Sequence, residues 1–342
     1  MRIVVDIPEY LVDRARKLIS SERYRDLSSL IAASIENQLT LEERGSGPDT
    51  LLPTEPPEEP QEVSRPSMPL QLALEFPSRG VPTLPYLSRP TERPAEQWPW
   101  GQTNKLLPVK LAVRLLARQV SNMQPVVPLD DFKEEAAHKA RTLGLWLARN
   151  DAKNNRRWGE RLSAGFPIGK GRKERGSLNR YASQFVGSHR RSDNRLFGAL
   201  FELQFGASQV QGTKVSVGLT EGGAQFARLP NPVLDNHDVS SALGQEEAEF
   251  YLDHIRGRVP GEVYAFTLIL SLLDDGVNGR EELNQQIRHR VELPWTDKMV
   301  NTQRAGAMAR MYDLRLIDRD REGLTVSYRP TPRGLDWLRT TE

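Results

Sequence analysis

The chain contains no cysteine, which excludes disulfides, thiolate metal sites and cysteine nucleophiles in one step. It also lacks any apolar run approaching the roughly 18 residues a membrane span needs; the most apolar stretch, Tyr264 to Leu273, is broken by polar residues. The opening MRIVVDIP passes directly into a charged amphipathic pattern without the apolar core of a signal peptide, so a cytoplasmic protein is expected. Histidine is scarce, and His138, His189, His237, His254 and His289 are scattered without ligand spacing. They read as surface or packing residues rather than metal ligands.

Motifs for catalysis are equally thin. Gly165-Phe-Pro-Ile-Gly-Lys-Gly is one residue short of a phosphate loop and lacks the Ser/Thr that holds magnesium. The acidic pairs Asp130-Asp131, Glu134-Glu135 and Asp274-Asp275 have no identifiable third carboxylate or lysine, and helix N-termini attract acidic residues in any case. The expectation is a non-enzyme with no catalytic residues, no metal and no cofactor.

What the chain does have is segregated charge. The 342 residues total +2. Residues 1–42 hold six Lys/Arg against seven Asp/Glu, residues 43–99 five against nine, and residues 100–342 thirty-six against twenty-nine. Arg149 to Arg195 alone hold thirteen basic and four acidic residues. A near-neutral total therefore conceals a basic region suited to a polyanion. Proline is segregated too, with 13 of 24 between Pro48 and Pro99; residues 43–99 are expected to form an acidic, disordered tether. Within it, Leu70, Leu72, Leu74 and Phe76 alternate like a short strand, read as a sticky linker patch. Trp98-Pro-Trp100 closes the tether and is expected to pack back on its own domain.

Before the tether, Ile3, Val5 and Ile7 alternate on one strand face, and two helical patterns follow, Leu11 to Ile19 and Leu27 to Leu39. About 42 residues cannot bury a self-sufficient core, and without cysteine the remaining route is oligomerisation. RIVVDIPEYLVDRARKLI followed by YRDLSSLIAASIENQL closely resembles the ribbon-helix-helix fold of small bacterial, archaeal and phage repressors, over residues 1–42. The resemblance implies a homodimer whose paired strands enter the DNA major groove, with Arg2, Val4 and Asp6 outward. Val4 offers apolar contact to a thymine methyl; Asp6 repels phosphate but can accept from cytosine.

Residues 100–342 contain an internal repeat. At a shift of 111 positions, Arg195–Leu229 lies over Gly306–Thr340 without a gap. Leu203, Gly212, Val215, Ser216, Thr220, Gly223 and Arg228 meet identical residues at 314, 323, 326, 327, 331, 334 and 339. Each copy reads as a helix, a hairpin turning near the glycine, and a closing helix after Thr-x-x-Gly. That order, with VSVGLTEGGAQFARL and VSYRPTPRGLDWLRT, resembles the winged helix. In the second copy the helices are expected at Val263–Leu273 and Arg280–Arg290, and a third, recognition helix begins at Thr296. Lys298, Asn301, Gln303 and Arg304 are expected outward on it, with Arg319 and Arg321 on the wing Ile317–Arg329. In the first copy the helices are expected at Asn104–Gln119, Ser177–Val186 and, for recognition, Ser192–Phe205, with the wing at Ala207–Leu219. About 46 extra residues bring an inserted helix, Leu129–Arg149, and a basic loop. DNA contact is expected there from Arg156, Arg157, Lys170, Arg172, Lys173, Arg175, Arg190, Arg191, Asn194, Arg195 and Lys214.

The expected fold is mainly α with small β elements: a ribbon-helix-helix dimer module (1–42), a Pro-rich linker (43–99), winged-helix domain 1 (100–235, basic insertion about 125–175), a connecting helix (236–260) and winged-helix domain 2 (261–342). The expected function is a dimeric, sequence-specific, nucleoid-associated regulator binding double-stranded DNA. Two alternatives are a replication or partition DNA-binding protein and a non-catalytic adaptor that takes a protein partner through its linker or winged helices.

Overall fold

The computed structural model describes residues 80–87, 94–190, 195–212, 214–322 and 325–341. The expected ribbon residues Arg2, Val4 and Asp6, the dimer module and the Leu70–Phe76 patch lie outside the described residues. The rest is mainly helical with a few small strands.

Helix α1 (Leu107–Gln119) is the centre of the first half. Every residue from Leu107 to Ala117 is buried, as befits a helix apolar on nearly all sides. Two cations on it therefore need partners. Lys110 reaches Glu247 at 2.8 Å and the carbonyls of Phe226 and Leu229. Arg114 forks onto Asp235 and donates to the Leu229 carbonyl at 2.8 Å. After strand β2 (Val127–Pro128) comes the inserted helix α2 (Leu129–Lys153), four residues longer at its C-terminal end than expected. Helix α3 (Glu174–Tyr181) continues into a wide π-turn (Ala182–Val186), together matching the expected second helix.

The third element of this half departs from expectation. Instead of a helix from Ser192 there is a ribbon, β3 (Ser188–Arg190) against β4 (Arg195–Phe197), then only a four-residue helix α4 (Ala199–Glu202). Gly187 and Gly198 explain the break: both hold positive φ, 143° and 103°, and a Cβ on Gly198 would stand 2.4 Å from the Gly187 Cα. A continuous helix through Gly198 is incompatible with that conformation.

Strands β5 (Gly206–Gln211) and β6 (Lys214–Thr220) form the expected hairpin. The far edge of β6 is covered by β2 and, in parallel, by strand β1 (Thr83–Leu84). The expected tether is thus ordered at its C-terminal end. Tyr86 accepts the Gly222 amide at 2.8 Å, Leu87 accepts from Gln204, and Trp98 is buried against Trp295 and Tyr264. Helices α5 (Glu221–Arg228) and α6 (Pro232–Asn236) close this half, and α7 (Gln245–Arg258) connects it onward.

The second half follows expectation closely: α8 (Pro260–Asp274), α9 (Arg280–Val291), α10 (Asp297–Asp313), hairpin β7 (Ile317–Glu322) with β8 (Thr325–Pro330), and α11 (Pro332–Thr341).

The 111-residue repeat is visible atom by atom. Thr220 Oγ1 donates to the Gln204 carbonyl at 2.7 Å and accepts from Gly223 N at 3.1 Å; Thr331 Oγ1 does the same with Arg315 and Gly334 at 2.7 and 3.1 Å. Gln204 and Arg315 both sit at φ 59°. A Cβ on Gly223 would stand 1.9 Å from the Phe205 carbonyl oxygen, and one on Gly334 2.2 Å from that of Leu316. The Thr-x-x-Gly signature is therefore a corner lock: the threonine caps the closing helix and ties it to the turn after the third helix, while the glycine admits the next carbonyl.

A strap, residues 97–106, fastens the halves together. Gly101 N donates to Gln303, and Gly101 and Gly306 touch backbone to backbone, since a Cβ on Gly306 would meet the Gly101 oxygen at 2.1 Å. The Thr103 carbonyl accepts from Arg310, whose guanidinium forks onto Glu262 at 2.6 Å in complete burial. Lys105 pairs with Asp313 at 2.8 Å.

Candidate nucleic-acid interface

In the second half the sequence builds a tight turn into α10. Glu292 ends α9 at φ 54°, and Thr296 caps α10 by accepting from Met299 N at 3.3 Å. Four or more turns of α10 then present different faces to the core, the strap and solvent. Lys298 and Ala305 are exposed and Asn301 and Thr302 half-buried, so one face from 298 to 305 is open. Alanine and threonine on that face keep the helix thin there.

Two residues expected on this face point inward. Gln303, 3% exposed, is spent on the strap, accepting from Gly101 N. Arg304, 4% exposed, lies between helices, donating to Asn284 at 2.8 Å and to Asn301 at 3.1 Å. Helical spacing accounts for both: 303 shares the strap face with 306 and 310, and 304 turns toward α9. Burial pushes the Arg304 pKa down from its ordinary value, a cost consistent with a structural cation. Arg280, which the sequence reading passed over, joins the open face by donating to Asn301 at 3.1 Å.

On the hairpin behind, Arg319 is half-buried, stacked over Tyr312 at 4.9 Å and Tyr328 at 5.7 Å and pressed against Gly159 of the first half's insertion. It is thus a joint between halves rather than a free wing cation. Arg321 lies on β7 opposite Val326 and is described by its backbone alone.

The basic insertion is held in place by two anchors that composition could not reveal. Asp151, 2% exposed, receives Leu162 N and Ser163 N at 3.1 and 2.9 Å and pairs with Arg156 at 3.0 Å. Arg141 donates to the Gly169 carbonyl at 2.6 Å and pairs with Glu174 at 2.8 Å. Arg156, expected to contact DNA, is consumed by Asp151 and the Val239 carbonyl. The other expected cations here, Arg157, Lys170, Arg172, Lys173 and Arg175, are exposed, and among the described residues none has an ion-pair partner. Lys214 is exposed at the turn of the first hairpin. Arg190 is exposed at the end of β3 and stacks on Phe197 at 4.6 Å. Arg195 stands opposite it on β4, and Arg191 and Asn194 lie outside the described residues.

Among the described residues, no group of three or more His, Cys, Asp or Glu is placed to hold a metal ion, and no helix is long and apolar enough to cross a membrane. Comparison with protein-family models, with curated proteins and with solved structures finds no match.

Proposed function

We propose that the chain is a non-catalytic, sequence-specific binder of double-stranded DNA. In this reading residues 100–235 and 261–342 are two winged-helix modules, and residues 1–42 pair as a ribbon-helix-helix homodimer. The observation that carries it is α10: a capped helix with an open Lys298–Asn301–Thr302–Ala305 face and a hairpin behind it, proportions that fit a major groove about 12 Å wide. The exposed cations of the insertion would contact phosphates, fixing register without reading sequence.

The test is titration of the full-length protein onto duplexes selected by it from a random pool, at several salt concentrations. Six cations neutralising phosphates give a slope of log affinity against log salt of about −5. A flat salt dependence, or failure to select any sequence, overturns the reading. Deleting residues 1–42 should give a monomer of weaker binding through lost bivalency.

The leading biological role is transcriptional regulation. Replication or partition is a second reading, favoured by one observation: the strap locks the halves into a fixed relation, which suits two abutting half-sites of constant spacing, as directly repeated origin sites provide. Genome-wide footprinting separates single promoter sites from such repeats.

A further inference from the structure

Of the two tryptophans expected to pack back on their own domain, only Trp98 does so fully. It is 6% exposed, with its ring edge-on to Trp295 and Tyr264. Trp100, two residues on, is 36% exposed, and among the described residues its indole has no ring or hydrogen-bond partner. A lone exposed apolar side chain is ordinary on a protein surface. What singles out Trp100 is how firmly it is held, and where.

Residues 100–103 form a turn closed by Thr103 N on the Trp100 carbonyl at 2.9 Å. The turn is fixed from several sides. Trp100 N donates to Glu202 at 2.7 Å, Gly101 N donates to Gln303, and the Thr103 carbonyl accepts from Arg310. Gln102, exposed, accepts through its side chain from Gln184 of the π-turn. The Glu202 carboxylate also takes Gly198 N at 3.3 Å, so its charge is shared between two amides. Every hydrogen bond of residue 100 uses its backbone, which any amino acid supplies. The fold calls for the turn and not for an indole on it.

The turn lies directly against α10. A Cβ on Gly101 would meet the Thr302 carbonyl oxygen at 2.1 Å and the Gln303 Cα at 2.7 Å. Helical spacing puts Thr302 between the strap side, which carries 303, 306 and 310, and the open face of Lys298, Asn301 and Ala305. The strap is thus a shoulder beside the open face. When a helix fills a major groove, the surface flanking it meets the sugar–phosphate wall rather than the base edges. The surroundings favour the same partner. A protein-docking patch gathers several apolar side chains, whereas the face beside Trp100 offers Lys298, Asn301 and Thr302. The other large exposed hydrophobics among the described residues, Met123 and Val210, stand on the turn after α1 and on β5.

We propose that Trp100 is a duplex-contacting residue of the strap, its indole laid against a deoxyribose and its N–H donating to an adjacent phosphate oxygen on the strand beside α10. The proposal rests on the DNA-binding reading above and adds to it a contact that fixes position without reading sequence. The strap that joins the halves would then also register α10 in the groove.

The experiment uses full-length wild type, Trp100→Ala and Trp100→Phe with a duplex selected by wild type from a random pool, well below each protein's melting temperature. Acrylamide quenching of tryptophan fluorescence, taken as wild type minus Trp100→Phe, isolates the Trp100 indole. Saturating duplex should shield that indole. Trp100→Ala should bind at least about fivefold more weakly, select the same consensus and keep the salt slope, since no charge is removed. Trp100→Phe, which keeps a ring, should fall between the two. An indole equally accessible in the complex, or an alanine variant that loses less than fivefold, overturns the contact while leaving DNA binding intact. A changed consensus for Trp100→Ala overturns its placement on the groove wall. Failure of wild type to select any duplex overturns both this proposal and the reading beneath it.

Discussion

Replacing Glu262 by glutamine should be among the most damaging isosteric changes in the chain. Its carboxylate accepts two hydrogen bonds of 2.6 Å from Arg310 and one of 3.1 Å from the Tyr251 hydroxyl, and neither member of the ion pair is exposed. Burial works against the Arg310 charge, but Glu262 more than offsets it and holds that guanidinium above its ordinary pKa. Glu262→Gln preserves shape while removing the counter-charge and setting an amide N–H against a guanidinium. Breaking a buried pair from one side costs about 3–5 kcal/mol. For a folded region of this size that corresponds to a melting temperature lower by about 10 °C, at about 2–4 °C per kcal/mol. Because Arg310 also binds the strap at Thr103, loss of the pair should loosen α10 and weaken duplex binding near the melting range. Thermal and urea denaturation followed by circular dichroism provide the measurement. The double variant Glu262→Leu/Arg310→Met removes both charges and should be markedly more stable than Glu262→Gln, as expected when the penalty lies in the orphaned charge. A Glu262→Gln loss below about 1 kcal/mol, or a double variant no better than the single, would refute this reasoning.

Further expectations concern the corner locks, a buried lysine and the open face of α10. Thr220→Val and Thr331→Val should each destabilise by about 1–2 kcal/mol in urea titrations, through the lost cap and the freed carbonyl; no change in either would remove the lock from the account. Gly223→Ala should be worse than the threonine change beside it, because the new Cβ would meet the Phe205 oxygen at 1.9 Å, and equal stabilities would contradict that. Lys110 is depressed by burial to about 8, so from there upward the unfolded chain binds the additional proton and stability should rise toward pH 10. Above that, buried Tyr181 and Tyr251, both pushed up by desolvation, reverse the trend; Lys110→Met should abolish the rise, and a wild-type stability that falls between pH 8 and 10 contradicts the assignment. Lys298→Ala should lower the steepness of the salt dependence by about 0.9, whereas Gln303→Ala, which faces the strap, should lower the melting temperature and leave that slope unchanged.

How much was legible in the sequence depended on how local the determinant was. The second half was readable because apolar periodicity, the Thr296 cap and the Thr-x-x-Gly corner are all set within a few residues. The repeat was readable for the same reason. Gln303 was misassigned because its facing depends on the strap, some 200 positions away in the chain, and Arg304 because it is turned toward α9, where it donates to Asn284. The first half's third helix was misassigned because Gly187 and Gly198 look innocuous singly; their meaning lies in the crossing they make together. Composition found the basic insertion but could not tell the cation held by Asp151 from those left in water. The tether's ordered end was hidden because β1 is only two residues long and owes its place to pairing with β6.

The strap and the corner locks also imply an order of assembly. Each lock joins residues 16 apart, Gln204 with Thr220 and Arg315 with Thr331, whereas strap contacts join residues 202 to 208 apart. Closing short loops is fast and costs little chain entropy, while long-range contacts wait until much of the chain is already compact. The two corners should therefore form early and independently, and the strap should close last. Hydrogen exchange in the native state should show the reverse sequence, with the Gly101 and Thr103 amides opening before those of Gly223 and Gly334.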